Sequence, residues 1–157
     1  MSWNNEQYLL RIKDSRFSLW SCLQDLSQEE LNGIPVEGLW TTKDLIGHIT
    51  AWDISLLKPI KSYMESWAFT PEIIPDHDAW NALQADLRKH RTLVEVMEES
   101  MLVREELLVT VGELSESQWR ITFQAPWGGT ETFAQMIDGL AWHEEEHTKS
   151  ILAKFSK

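Results

Sequence analysis

The chain has 157 residues, 43% of them hydrophobic and 25% charged, with a formal net charge of −11. That length suits one domain burying roughly two thirds of its unfolded surface, and the acidic balance argues against a nucleic-acid backbone or an anionic membrane as partner, since either needs a basic patch. A single cysteine excludes an intrachain disulfide, and no apolar run approaches the roughly 18 residues of a membrane-spanning helix.

Four long helical patterns account for most of the chain, read as one domain over 1–157. The first covers 4–26, with Leu9, Ile12, Arg16, Leu19, Leu23 and Leu26 near helical spacing. The opening MSWNNEQYLLRIKDS lacks the basic-then-apolar layout of a signal peptide, so a cytoplasmic location is expected. Cys22 shares a face with Leu19, Leu23 and Leu26 and reads as a small core residue, a nucleophile being the lesser alternative. Gly33, Pro35 and Gly38 interrupt the pattern between 27 and 40.

A second helix starts at Thr41 or Thr42, where a hydroxyl can cap the first turn, and should run to Trp67 with a kink near Pro59. Leu45, Ile49, Trp52 and Leu56 mark its buried face, and His48 lies at the edge of that face beside Trp52. Pro71 and Pro75 impose an extended path on 68–77. Ten extended residues span about 33 Å, enough to cross the length of a helix and leave helices two and three parallel. His77, in this connection, reads as a loop or capping residue.

The third helix is expected from Asp76 or Asp78 to Val111, with Leu83, Leu87, Val94, Met97, Met101 and Leu108 as its stripe. His90 falls inside the stripe, as a core or pocket-wall histidine or as a substrate contact. The basic cluster of Arg88, Lys89 and Arg91 reads as a solvated face. After an irregular segment over 112–129, a fourth helix runs from Thr130 or Thr132 to Phe155. No strand set, repeat or linker is evident.

The fourth helix carries the most informative pattern. Phe133, Met136, Ile137, Leu140, His143, His147 and Ile151 share one face at 100° per residue, so a histidine pair spaced i, i+4 continues an apolar stripe. Neutral imidazoles so placed can hold one metal ion, and His48 is the candidate third ligand. The competing reading is three separately hydrogen-bonded core histidines. His143-Glu144-Glu145-Glu146-His147 also matches the H-E-x-x-H protease helix, but only ten residues follow His147, with Ser150 and Ala153 where an extended motif has glycine and histidine. Glu145 and Glu146 turn to the flanks. Glu144 falls on the buried side, where a carboxylate is costly unless paired or hydrogen-bonded, and a role beside the metal, either supporting its ligands or as an acid/base, is weighed against a solvated charge run. Trp142 is placed on the opposite, outer face, which suggests a homodimer contact.

Three segments together resemble the DinB-like superfamily, which includes YfiT-like hydrolases and thiol-dependent transferases. They are Trp40-Thr41-Thr42-Lys43-Asp44-Leu45-Ile46-Gly47-His48 with Trp52 beyond it, Trp80-Asn81 opening helix three, and Trp142-His143-x-x-x-His147. The resemblance implies an all-α four-helix bundle of up-down-down-up topology with a long connection from helix two to helix three. It further implies a metal site of His48, His143 and His147, occupied by zinc or nickel, with solvent or substrate completing the coordination. Dimers and low-molecular-weight thiol cosubstrates are also features of the family it resembles.

The resulting expectation is a metal-dependent enzyme for a small-molecule substrate, either a thiol S-transferase or a hydrolase. In it His48, His143 and His147 hold the ion, Glu144 moves a proton, and Trp52 and His90 contact substrate. The alternative is a non-catalytic, stress-associated protein that binds a metal or ligand. A role in acting directly on DNA is suggested only by the superfamily's damage-inducible name, and the acidic charge opposes it.

Overall fold

The computed structural model describes residues 4–156, so the ends of the expected domain, 1–3 and 157, lie outside the described residues. The helices are α1 (Asn5–Leu23), α2 (Gln28–Gly33), α3 (Thr42–Ser66), α4 (His77–Arg88), α5 (Leu93–Gly112) and α6 (Phe133–Phe155). Two small antiparallel ribbons join them, β1 (Pro35–Glu37) with β2 (Trp40–Thr41), and β3 (Thr122–Gln124) with β4 (Thr130–Thr132). None of the helices in the described residues is long and apolar enough to cross a membrane.

Helices α1, α3, α5 and α6 form the four-helix bundle, and its directions follow from which residues share a core. At one end Leu19 and Leu23 of α1 pack with Leu45, Ile46 and Ile49 of α3, Leu93 and Val96 of α5, and Ile151 of α6. At the other end Ile12 meets Trp52 to Tyr63, Leu107 and Val111, and Phe133 to Ala141. Thus α1 and α6 run one way while α3 and α5 run the other, which is the expected up-down-down-up order.

Local chemistry sets the helix starts. Asn4, Ser27, Thr41, Thr92 and Thr132 each accept a backbone N–H three residues on, and Gln7, Glu30, Asp44, Glu95 and Gln135 return the bond. Two of these boxes correct the sequence reading. Ser27 starts a separate helix α2 where the first pattern was extended to 26. Thr92 starts α5 and so breaks the expected third helix after Arg88. The break changes the phase of the apolar face. Leu83, Leu87, Val94 and Met101 are more than half exposed, and the α5 core is built from Leu93, Val96, Ser100, Arg104 and Leu107 instead.

The crossover is shared between an extended segment and α4. Trp67, at φ 61°, ends α3 in the left-handed region. The chain then climbs to the level of Trp52, where Trp80 packs at 4.5 Å between ring centroids. Helix α4 completes the return, bringing Arg88 over Gly47, where an added Cβ would lie 2.9 Å from Arg88 Cδ. Midway, the Ile74 amide donates to Pro126 O at 2.9 Å, pinning the crossover to the turn of the β3–β4 hairpin. Gly128 and Gly129 make that turn at φ 95° and 82°, conformations that side-chain-bearing residues rarely adopt.

Candidate metal centre

His48, from the middle of α3, meets His143 and His147, one turn apart on α6. Nε2 of His143 lies 2.9 Å from His48 Nε2 and 3.0 Å from His147 Nε2, and one nitrogen from each ring falls within 4.8 Å of the others. Metal bound tetrahedrally at about 2.0–2.1 Å separates its nitrogen ligands by a few tenths of an ångström more than this, so a small outward shift of the rings accommodates it. The stripe places the rings slightly differently from the sequence reading. Ala141, Glu144 and Thr148 take the core-facing positions of α6, and His143 and His147 sit half-buried at its edge.

The donor chemistry fits a divalent cation. His147 Nδ1 lies 2.9 Å from Glu37 Oε1 on β1, and donating its N–H there leaves Nε2 as a bare lone pair. His143 Nε2 then faces two ring nitrogens and can donate a proton to only one of them. Burial, reinforced by the neighbouring imidazoles, pushes His48 down to about 2 and His143 down to about 4, so both rings are neutral at physiological pH, as ligation requires. His48 Nδ1 is buried without a hydrogen-bond partner.

The histidines form the floor of a cleft of about 530 Å³. Trp52, 7% exposed, is one wall, and its Nε1 donates to Asn81 Oδ1 at 3.1 Å. Trp127 is carried in from the hairpin, with His77 Nε2 3.1 Å from its carbonyl. The Trp127 ring packs over Gly139, where an added Cβ would lie in ordinary contact with it at 3.6 Å. Trp142 and Glu146 complete the α6 side. Trp142, 57% exposed, therefore lies on the rim of the cleft and not on the opposite face of α6 where the sequence reading put it.

Of the expected substrate contacts, Trp52 lines the cleft and His90 does not. His90 is exposed in the turn between α4 and α5, because the helix break removes it from the apolar face. His77, expected as a loop or capping residue, stands in its place against Trp52 with ring centroids 5.3 Å apart.

Glu144 is fully buried, as its helical position implied, but its carboxylate points into an ionic clasp and not into the cleft. Arg16 Nε donates to one oxygen, and Ser15 Oγ and Arg104 Nη1 donate to the other at 2.6 and 2.8 Å. Arg104 also donates from Nε and Nη2 to Asp53, each at 2.9 Å, while Arg16 reaches Asp53 and Ser100. Burial alone would raise the Glu144 pKa, but the two guanidinium groups and the serine hydroxyl hold it below the usual carboxylate range. Both oxygens are committed, so this carboxylate is not poised to move a proton in the cleft.

Comparison with known proteins agrees with this architecture. The family model for the DinB superfamily matches residues 11–151. A relative from Oceanobacillus iheyensis, provisionally named a metal-dependent hydrolase, is 26% identical, the match covering 92% of this chain and 82% of that one. YfiT from Bacillus subtilis, a four-helix bundle of unusual topology, superposes with a TM-score of 0.73 at 17% identity, over 95% of this chain and 84% of its own. A mycothiol-dependent maleylpyruvate isomerase gives 0.80 at 15% identity over 95% of this chain but only 61% of its own. The colibactin self-resistance protein ClbS, solved with double-stranded DNA, gives 0.80 at 12% identity over 100% and 99%. At these identities the solved structures establish the shared fold alone.

Proposed function

We propose that this chain, which belongs to the DinB superfamily, is a metal-dependent enzyme for a small organic electrophile, with His48, His143 and His147 as the protein ligands. The observation that carries this reading is the convergence of three Nε2 atoms, 2.9 and 3.0 Å apart in sequence along the set, at the floor of an open cleft. A divalent ion on three neutral imidazoles keeps its full charge and can lower the pKa of a coordinated water or thiol. Both hydrolysis and transfer of a low-molecular-weight thiol fit that chemistry. The provisional name of the Oceanobacillus relative favours the first and the mycothiol-dependent neighbour the second.

The chain's own residues have distinct parts. Glu37 orients His147 through Nδ1 and fixes which nitrogen faces the ion. Trp52 and Trp127 wall off water from the apolar side of the cleft, and the side-chain amide of Asn81, whose oxygen is held by Trp52, keeps its N–H donors for a substrate oxygen. A purely structural metal would instead have a closed fourth position.

The test is elemental analysis of untagged wild-type protein and His143→Ala, followed by assays of the metal-loaded protein on activated esters and on thiol–electrophile pairs. Near-stoichiometric zinc or nickel, lost in the variant, supports the site. A wild type that takes up neither metal removes it and leaves the ligand-binding alternative in first place.

A further inference from the structure

We infer that the substrate has a planar apolar body whose outer end is neutral or positively charged, and that the mouth of the cleft selects against an anionic end. This rests on the cleft being the metal-dependent site proposed above.

Three indoles, Trp52, Trp127 and Trp142, line the cleft, with Trp52 and Trp127 at 63° and 6.3 Å between centroids. Such faces favour flat rings and cationic groups through their negative quadrupole. Among the described residues, no lysine or arginine lines the cleft, so there is no fork or ammonium to clamp a carboxylate or phosphate. The one acidic side chain in the lining is Glu146. Its carboxylate meets Lys149 at 2.5 Å, but that lysine is 68% exposed and stands outside the lining.

Two further carboxylates stand behind the walls. Glu131 accepts from Trp127 Nε1 at 3.2 Å, and Glu37 partners His147. The chain as a whole carries a formal charge of −11, which favours the approach of cations over anions. Besides the three histidines of the cluster and Glu146, the polar side chains in the lining are Asn81 and His77, and His77 Nε2 is committed to the Trp127 carbonyl. An anionic substrate would therefore find its main attraction at the ion that the three histidines would hold, deep in the cleft. Its remaining charge would face indoles and Glu146.

Three benzohydroxamic acids test this on the zinc-loaded full chain, the hydroxamate reaching for the metal while the para substituent is isopropyl, trimethylammonio or carboxylate. Calorimetry should show the carboxylate binding about tenfold more weakly than the neutral compound, the scale of one screened charge interaction, and the cation binding at least as tightly as the neutral one. Glu146→Gln should narrow the gap between cation and anion about threefold, and Trp142→Ala should weaken the neutral and cationic compounds together. Equal or tighter binding of the carboxylate, or no binding by any of the three to protein shown to hold zinc, overturns the inference while leaving the metal site standing. Protein that holds no zinc overturns both.

Discussion

Asp53 accepts from both Nε and Nη2 of Arg104 at 2.9 Å, a two-pronged pair that lies 1% and 3% exposed at the side chains. The same guanidinium reaches Glu144 on α6, so the two helices that carry the proposed metal ligands, α3 and α6, are tied through one residue of α5. Arg16 of α1 bonds both carboxylates as well, which gives every bundle helix a share in a group of two positive and two negative charges. Removing one cation leaves an uncompensated carboxylate in the core. Arg104→Met is expected to cost about 3–5 kcal/mol in urea unfolding, far more than a surface ion pair such as Lys61–Glu106. A loss below ~1 kcal/mol would mean that water reaches the clasp.

Glu144→Gln separates a structural carboxylate from a chemical one. The amide keeps the shape but removes the negative charge between Arg16 and Arg104, so the expected result is a lower unfolding midpoint with zinc per folded chain unchanged. Turnover per folded, metal-loaded chain should also hold. A protein of wild-type stability that has lost turnover would restore the acid/base role that the sequence position suggested.

Glu37→Gln addresses the other flank of the site. Its carboxylate, 34% exposed at the side chain, contributes little to the core but sets the tautomer of His147. Replacing such a partner of a ligating histidine typically weakens metal binding about 10–100-fold. Competition against a chromophoric chelator measures this directly, and circular dichroism should show the helices unchanged. An unchanged affinity would mean that Glu37 does not orient the ring.

Much of this was legible in the sequence because it is local. Thr41 and Thr132 announce α3 and α6 through their hydroxyls, and the i, i+4 histidines declare themselves on one helix. Ser27-x-x-Glu30 and Thr92-x-x-Glu95 are local signals of the same kind, both capping boxes, and the second accounts for the change of phase in the apolar stripe and for the exposure of His90. Arg16 stood inside an apolar stripe, a sign of a buried partner, but nothing local says that Asp53 and Glu144 would meet it. His77 and Trp127 reach the cleft only because the crossover and the hairpin brace each other through Ile74 and Pro126. That is a long-range fact with no periodicity to reveal it.

Cys22 should be chemically quiet. Burial pushes its thiol up to about 11, and Sγ lies 3.0 Å from Leu19 O within α1. At pH 8 the thiolate fraction is then very small, so iodoacetamide should label the native chain slowly and the urea-unfolded chain rapidly. Rapid native labelling would show that this part of α1 opens readily, and would return the nucleophile reading to consideration.

Metal should stabilise the fold as well as complete the site, because His48 and the α6 pair lie 95 residues or more apart in sequence and converge only in the folded chain. Unfolding disperses them, so an ion that binds the folded state shifts the equilibrium by about 2.7 kcal/mol at a free concentration a hundredfold above its dissociation constant. Zinc added to chelator-treated wild type is therefore expected to raise the thermal midpoint in a concentration-dependent way, and a chelator to reverse it. His147→Ala removes one ligand, and with it the partner of Glu37, so the shift should nearly vanish in that variant while the apo proteins unfold at similar temperatures. A zinc-dependent rise of equal size in His147→Ala would place the stabilising ion at some other group of the chain.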